Sequence, residues 1–178
     1  MPRNRRPIDR AEKRDEIVVA AAALFTEAGY DDSSMAKVAA AAGVTPTTIY
    51  WYFADKDALL VAVLDHLLTQ ALEEAAPHLE DPWVEQVLWA VERLERYSKL
   101  VTVVHARTAT SPTIDEWHEG FHALMDTMLA DGLATAGAAP EDVEAMTRMS
   151  VFVVEGLLTH PLPQAERRTI IEMIHRPR

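Results

Sequence analysis

The stretch Ser33–Lys56, SSMAKVAAAAGVTPTTIYWYFADK, decides how the rest of the chain is read. Met35, Val38, Ala39 and Ala42 stand at i, i+3, i+4 and i+7, the spacing of a single apolar helical face. Ser33 or Ser34 can cap that helix by offering an oxygen to its first unpaired N–H groups. Gly43 ends it, because glycine tolerates the left-handed C′ position. Thr45 and Pro46 then restart the chain as an N-cap followed by proline at N1. On this second helix Ile49 and Phe53 point inward, whereas Thr47 and Trp51 point outward, flanked by Thr48 and Tyr50. An outward face that is both polar and aromatic, and too short for a core face, predicts a helix-turn-helix whose second helix enters a DNA major groove.

These residues, with their neighbours, resemble the DNA-binding domain of the TetR family of transcriptional regulators. The likeness runs back through IVVAAAALFTEAGYDDSS and forward through YWYFADKDALL, about a third of the chain. It is carried by Phe25, Gly29–Tyr30, the serine pair, Val38–Ala39, Ala42–Gly43–Val44, Ile49–Tyr50, Phe53, Lys56 and Leu59, in order and at the family's spacing. Two positions depart from the pattern. Ala36 stands where the family often has a basic residue on its second helix, which removes one base contact. Thr47 stands where many members have glycine, so the operator cannot be copied from relatives. The DNA-contact candidates are Ser33, Ser34, Lys37, Thr45, Pro46, Thr47, Thr48, Tyr50, Trp51, Tyr52 and Lys56. The threonines are short donors and acceptors suited to base edges or phosphates. Tyr50 has a hydroxyl for a phosphate, and Trp51 a ring for sugar or a thymine methyl. The blander alternative packs both rings on the first or fourth helix. Lys56 resembles the family's phosphate-contacting lysine; the helix dipole does not favour a cation in a first turn.

Composition sets the outer limits. The chain has 178 residues, 49% of them hydrophobic and 25% charged, which suits a globular protein with a proper core. No apolar run is long enough to span a bilayer and no signal-peptide pattern stands at the N-terminus, so the expectation is a cytoplasmic protein without a membrane partner. There is no cysteine, which removes disulfides and thiolate metal sites. The net charge of −11 is unevenly spread. Residues 1–14 hold Arg3, Arg5, Arg6, Arg10, Lys13 and Arg14 against two acidic groups, whereas residues 61–178 hold nine basic groups against nineteen acidic ones. Phosphate affinity depends on charge where the duplex lies, so net acidity is compatible with DNA binding.

An all-α chain of about nine helices is expected: a three-helix helix-turn-helix DNA-binding domain, then a helical ligand-binding and dimerisation domain. Residues 1–8 read as a basic disordered arm that lies along DNA or simply solubilises the chain, 9–56 as the DNA-binding domain and 57–178 as the second domain. The first helix, from about Asp9 to Ala28, carries the stripe Ile17, Ala20, Ala21, Leu24, Phe25 and Ala28. The fourth starts at the cap Asp55 and runs to about Ala76, apolar at Leu59, Leu60, Val63, Leu64, Leu67, Leu68, Ala71 and Leu72. Further helices are expected over Asp81–Ser98, Val101–Thr110, Ile114–Ala136, Pro140–Thr159 and Gln164–His175. From Val151 to Val154 the eighth helix is apolar all round and needs a second cover. A second subunit is a plausible cover, and the resemblance implies a homodimer through the last two helices, about 140–175. A two-fold dimer presents its recognition helices about 34 Å apart, as a palindromic operator needs.

In the second domain the candidate effector-pocket residues are Trp83, Trp89, Tyr97, His105, Trp117, Phe121, Met125, Met128 and Phe152, with Arg107 and histidines as polar contacts. Aromatics at helical spacing are mostly core, so only a minority should line a cavity. A small apolar or aromatic effector fits this set. His118, His122 and Asp126 follow one another at i, i+4 and i+8, with His105 as a further donor, a spacing that permits a borderline metal ion but equally suits a surface face. The expectation is therefore a ligand-responsive regulator, most simply a repressor of a double-stranded DNA operator, with no cofactor. A metal-responsive regulator using His118 and His122 is the alternative. An effector-free DNA binder, without a cavity in the second domain, is another. A small helical enzyme is disfavoured, since no nucleophile elbow, glycine-rich phosphate loop or HExxH motif is present.

Overall fold

The computed structural model describes residues 10–174. The basic arm at 1–8 and the end of the last helix at His175 lie outside the described residues. Those residues form nine α-helices and one 3-10 turn, without a strand. The helices are α1 (Arg10–Glu27), α2 (Met35–Ala41), α3 (Pro46–Ile49), α4 (Lys56–Ala75), α5 (Trp83–Glu95), α6 (Ser98–Thr108), α7 (Pro112–Thr135), α8 (Pro140–Thr159) and α9 (Gln164–Ile174). The all-α architecture is the one expected from the sequence.

Two compact units divide the chain. The first contains α1 to α3, α4 as far as Gln70, and the separate segment Thr102–Asp115; the second contains Ala71–Val101 and the chain from Glu116 onward. The first unit therefore extends beyond residues 9–56. Leu59, Leu60 and Val63 of α4 are fully buried in it, and Asp57 is paired with Arg107 of the downstream segment.

In the first unit α2 packs on both α1 and α3. The buried face of α1 consists of Ile17, Val18, Ala21, Ala22 and Phe25. It is turned slightly from the expected stripe: Val18 and Ala22 are inside, while Ala28 is exposed. Phe25 and Tyr30 meet edge to face at 5.2 Å. Ser34 caps α2, accepting from the Lys37 N–H at 3.2 Å, and Asp55 caps α4, accepting from the Ala58 N–H at 2.8 Å. Gly43 takes φ +66°, the left-handed conformation that lets the chain leave α2 and restart two residues later.

The second unit buries Trp83, Val87, Leu88 and Val91 of α5 against Leu133 of α7, Leu157 of α8, and Ile171 and Ile174 of α9. Trp83, expected at the effector pocket, is 5% exposed and part of this core. Its indole lies against Gly132, where an added Cβ would stand 2.9 Å from the ring Cδ1. Arg93 is almost fully buried, donating to Glu74 at 3.0 Å and to the Tyr97 hydroxyl at 2.7 Å. Arg167 reaches Glu95 at 2.8 Å and Arg168 grips Glu85, tying α9 to α5.

The Trp83–Gly132 contact gives a direct test. Gly132→Ala should destabilise the chain by about 1–3 kcal/mol through overpacking, despite alanine's better helix propensity. Thermal or urea unfolding followed by circular dichroism reads this, and a stabilised variant would show that the indole moves aside freely.

Candidate nucleic-acid interface

The first unit presents α3 at its surface. A helix of four residues cannot hold itself together in water, so its ends and its back must be fixed from outside. The Thr45 hydroxyl accepts from the Thr48 N–H at 3.1 Å, and Pro46 occupies N1. The Thr45 and Thr48 hydroxyls also meet at 2.8 Å, so both already serve the helix start. Ile49 and Phe53, at 0% and 3% exposure, hold the segment from behind. Tyr50 and Trp51 stand 55% and 76% exposed, and with Pro46 and Thr47 they line an open surface depression. A tryptophan so exposed forfeits much of the gain its apolar area would bring if covered.

The other candidates are distributed unevenly. Ser34 and Lys37 are exposed on α2, where Lys37 Nζ donates to the Asp32 carbonyl at 2.7 Å. Tyr52 is half-buried. Ser33 corrects the expectation: it is fully buried, and its hydroxyl donates to the carbonyl oxygens of Gly29 at 2.7 Å and Leu24 at 3.3 Å. Leu24 is in the last turn of α1 and Gly29 just beyond its end, so the buried Ser33 hydroxyl fastens the loop back onto α1 and is turned away from the surface. Lys56 is half-buried; its ammonium donates to the Tyr30 carbonyl at 2.5 Å and stands 3.9 Å from the Tyr30 ring centre. Burial is the main reason its pKa falls below the ordinary lysine value, against the opposing pull of Asp31.

Behind this surface is a polar hub on Asp57. Tyr30 donates to its Oδ1 at 2.5 Å and Arg107 to its Oδ2 at 2.6 Å, and Ser111 adds a further hydrogen bond. Burial alone would push the Asp57 carboxyl up; the bonds from Arg107, Tyr30 and Ser111 outweigh it and hold the group below its ordinary range. Tyr30 is pushed above the ordinary tyrosine range, by burial first and then by its bond to the Asp57 carboxylate. Arg107, expected among the polar contacts of an effector, is instead a strut of the first unit. Neither Asp57 nor Ser111 carries a local sequence signal for this role, since their partners are remote in the chain.

The effector candidates are divided between the units. His105 belongs to the first unit, where it is exposed on α6. In the second unit Trp89, Trp117, Phe121 and Met125 are half-buried, with Trp117 and Phe121 stacked at 5.3 Å. Tyr97 is half-buried and accepts from Arg93, while Met128 and Phe152 are exposed at 38% and 71%.

Because the folded pKa of Asp57 is depressed, its contribution to stability is present in full above the unfolded value of about 3.9 and is lost as pH falls through the folded value. Asp57→Asn should lower stability by about 1–3 kcal/mol near neutrality, and the gap from the parent should narrow below about pH 4. Urea unfolding across the acid range measures it; a gap independent of pH would show that the carboxylate charge is not what the three donors hold.

The chain matches the family model "Bacterial regulatory proteins, tetR family" over residues 17–63, which contain α2, α3 and the turn between them. It is 24% identical over 137 residues to the uncharacterized HTH-type transcriptional regulator YvdT of Bacillus subtilis, covering 72% of this chain and 71% of that one. It is 33% identical over 67 residues to the tetracycline repressor protein class A of Escherichia coli, 38% of this chain and 31% of that one. In fold it is similar to a TetR transcription regulator from Haloarcula marismortui, with a TM-score of 0.77, 18% identity, and coverage of 93% of this chain and 97% of that one. With a capped, outward-facing α3 inside it, the matched segment is a DNA-binding domain of the TetR family of transcriptional regulators.

Proposed function

We propose that the chain binds a palindromic DNA operator as a homodimer, represses transcription there, and is released by a small apolar or aromatic molecule held in its second unit. The observation that carries this reading is the division of α3 and its following turn. Ile49 and Phe53 are buried, while Thr47, Tyr50 and Trp51 face solvent with the remaining hydrogen-bonding and stacking capacity. Thr47 contacts a base edge, Tyr50 donates to a phosphate, and Trp51 packs on sugar or a thymine methyl. Ser34, Lys37, Tyr52 and Lys56 flank the same surface, with Lys56 using the donors not taken by Tyr30.

Dimer formation is supported by apolar surface on the last two helices. Met149 and Phe152 of α8 and Met173 of α9 are 52%, 71% and 61% exposed in the single chain, more than isolated surface residues need. A two-fold pairing of these helices covers them and sets two copies of α3 about one DNA turn apart. Release needs an effector with different affinities for the bound and free dimers. The half-buried Trp89, Trp117, Phe121 and Met125 supply an apolar lining for it, and a relative's name pairs repression with a small molecule, tetracycline. Repression from a cytoplasmic location is the simplest arrangement for such a protein; among the described residues no helix is long and apolar enough to cross a membrane.

The test is binding of the untagged chain to the DNA flanking its own gene, by fluorescence anisotropy over a salt series. Trp51→Ala and Thr47→Val should each weaken binding by about 1–3 kcal/mol with unchanged unfolding temperature. Weak binding with no dependence on salt or on either substitution would overturn the reading. In a separate arm, Phe152→Glu should convert a dimer to a monomer by light scattering and reduce operator affinity together; a variant that stays dimeric would remove α8 from the interface.

A further inference from the structure

We propose that His118, His122 and Glu155 form a site for one divalent transition-metal ion of the zinc class. His118 and His122 are one turn apart on α7, so their side chains leave the same face of the helix. Their Nε2 atoms lie 3.1 Å apart, and Glu155 of α8 brings its Oε1 to 3.7 Å from the His122 Nε2. Around a tetrahedral ion with nitrogen and oxygen ligands at about 2.0–2.1 Å, neighbouring donor atoms stand roughly 3.3–3.4 Å apart. The two separations bracket that value, so the His122 Nε2 stands at ligand-to-ligand spacing from both His118 and Glu155.

The chemistry of the set narrows the ion. Two imidazoles and one carboxylate favour zinc, cobalt, nickel or copper over calcium and magnesium, which prefer all-oxygen surroundings. The His122 and Glu155 side chains are 29% and 42% exposed, which leaves solvent access for entry and at least one position for water. The carboxylate comes from α8, so it was invisible to helical spacing along α7, which pointed to the exposed Asp126. The competing explanation is a plain hydrogen bond, one ring donating and the other accepting, with Glu155 as an occasional ion-pair partner.

Metal uptake decides between them. The untagged full chain, stripped with a chelator, is titrated with cobalt(II) alone and followed by its visible ligand-field absorption, with zinc(II) competition giving the zinc affinity. One ion per protomer is expected. His122→Gln and Glu155→Gln, which keep side-chain size and polarity, should each weaken uptake at least about tenfold, the loss that even an outer-shell partner's removal brings. His160→Gln, on an exposed residue past the end of α8, should leave it unchanged. The proposal is overturned if the parent chain takes up no more cobalt than the doubly substituted His118→Gln, His122→Gln chain, or if uptake survives in that chain. Any regulatory consequence of the ion rests on the operator-binding reading. Operator binding by the metal-free chain is therefore measured alongside, so that failure there counts against that reading and not against the site.

Discussion

The shortness of α3 governs the first unit. Four residues make too few internal hydrogen bonds to offset the ordering of their backbone, so the conformation is borrowed from its surroundings. The debt is met at three places: the Thr45 cap with Pro46 behind it, the burial of Ile49, and the burial of Phe53 just beyond the helix end. That arrangement also sorts the side chains by duty. Thr45 and Thr48 spend their hydroxyls on the helix, whereas Thr47, Tyr50 and Trp51 stand exposed to solvent. A surface assembled in this way is rigid because its back is packed, and that suits docking into a groove without an entropic penalty at each contact.

Asp57 extends the same logic to charge. In a chain of net charge −11 a half-buried carboxylate gains little from its general surroundings and depends on specific donors. Tyr30, Arg107 and Ser111 supply them from two separate stretches, and Lys56 packs on the Tyr30 ring beside them. One carboxylate thus joins the loop after α1, the start of α4 and the corner between α6 and α7. These partners belong to one compact unit, which is why the unit includes a segment far removed in sequence.

Local chemistry was legible in the sequence and long-range pairing was not. The turn at Gly43, the caps at Ser34, Thr45 and Asp55, and the inward Ile49 and Phe53 all follow from short-range rules, and each stands where those rules put it. Ser33 illustrates the limit. Either of two adjacent serines could cap α2, and only the fold shows that Ser34 does so while Ser33 turns back to α1. Arg107 looked like a polar group for a pocket because nothing nearby in the chain names Asp57 as its partner. Trp83 likewise looked like a pocket aromatic until Gly132 supplied the space for its indole in the core. The tilt of α1 toward Val18 and Ala22 escaped a strict stripe for a similar reason, since helical faces are broad and tertiary packing chooses among their edges.

The separation of Asp57 and Arg107 by 50 residues has a bearing on how the protein comes into being. As the nascent chain leaves the ribosome, α1 to α3 and the start of α4 emerge first, yet Asp57 still lacks two of its donors. Domains tend to fold as units, N-terminal first, but this unit stays incomplete until the α6–α7 corner has been translated. A fragment ending within α4 would carry every residue of the helix-turn-helix and still leave that carboxylate with Tyr30 alone of its three donors. Autonomy of the DNA-binding segment is therefore not a property of its contiguous sequence; it has to be supplied by chain made later.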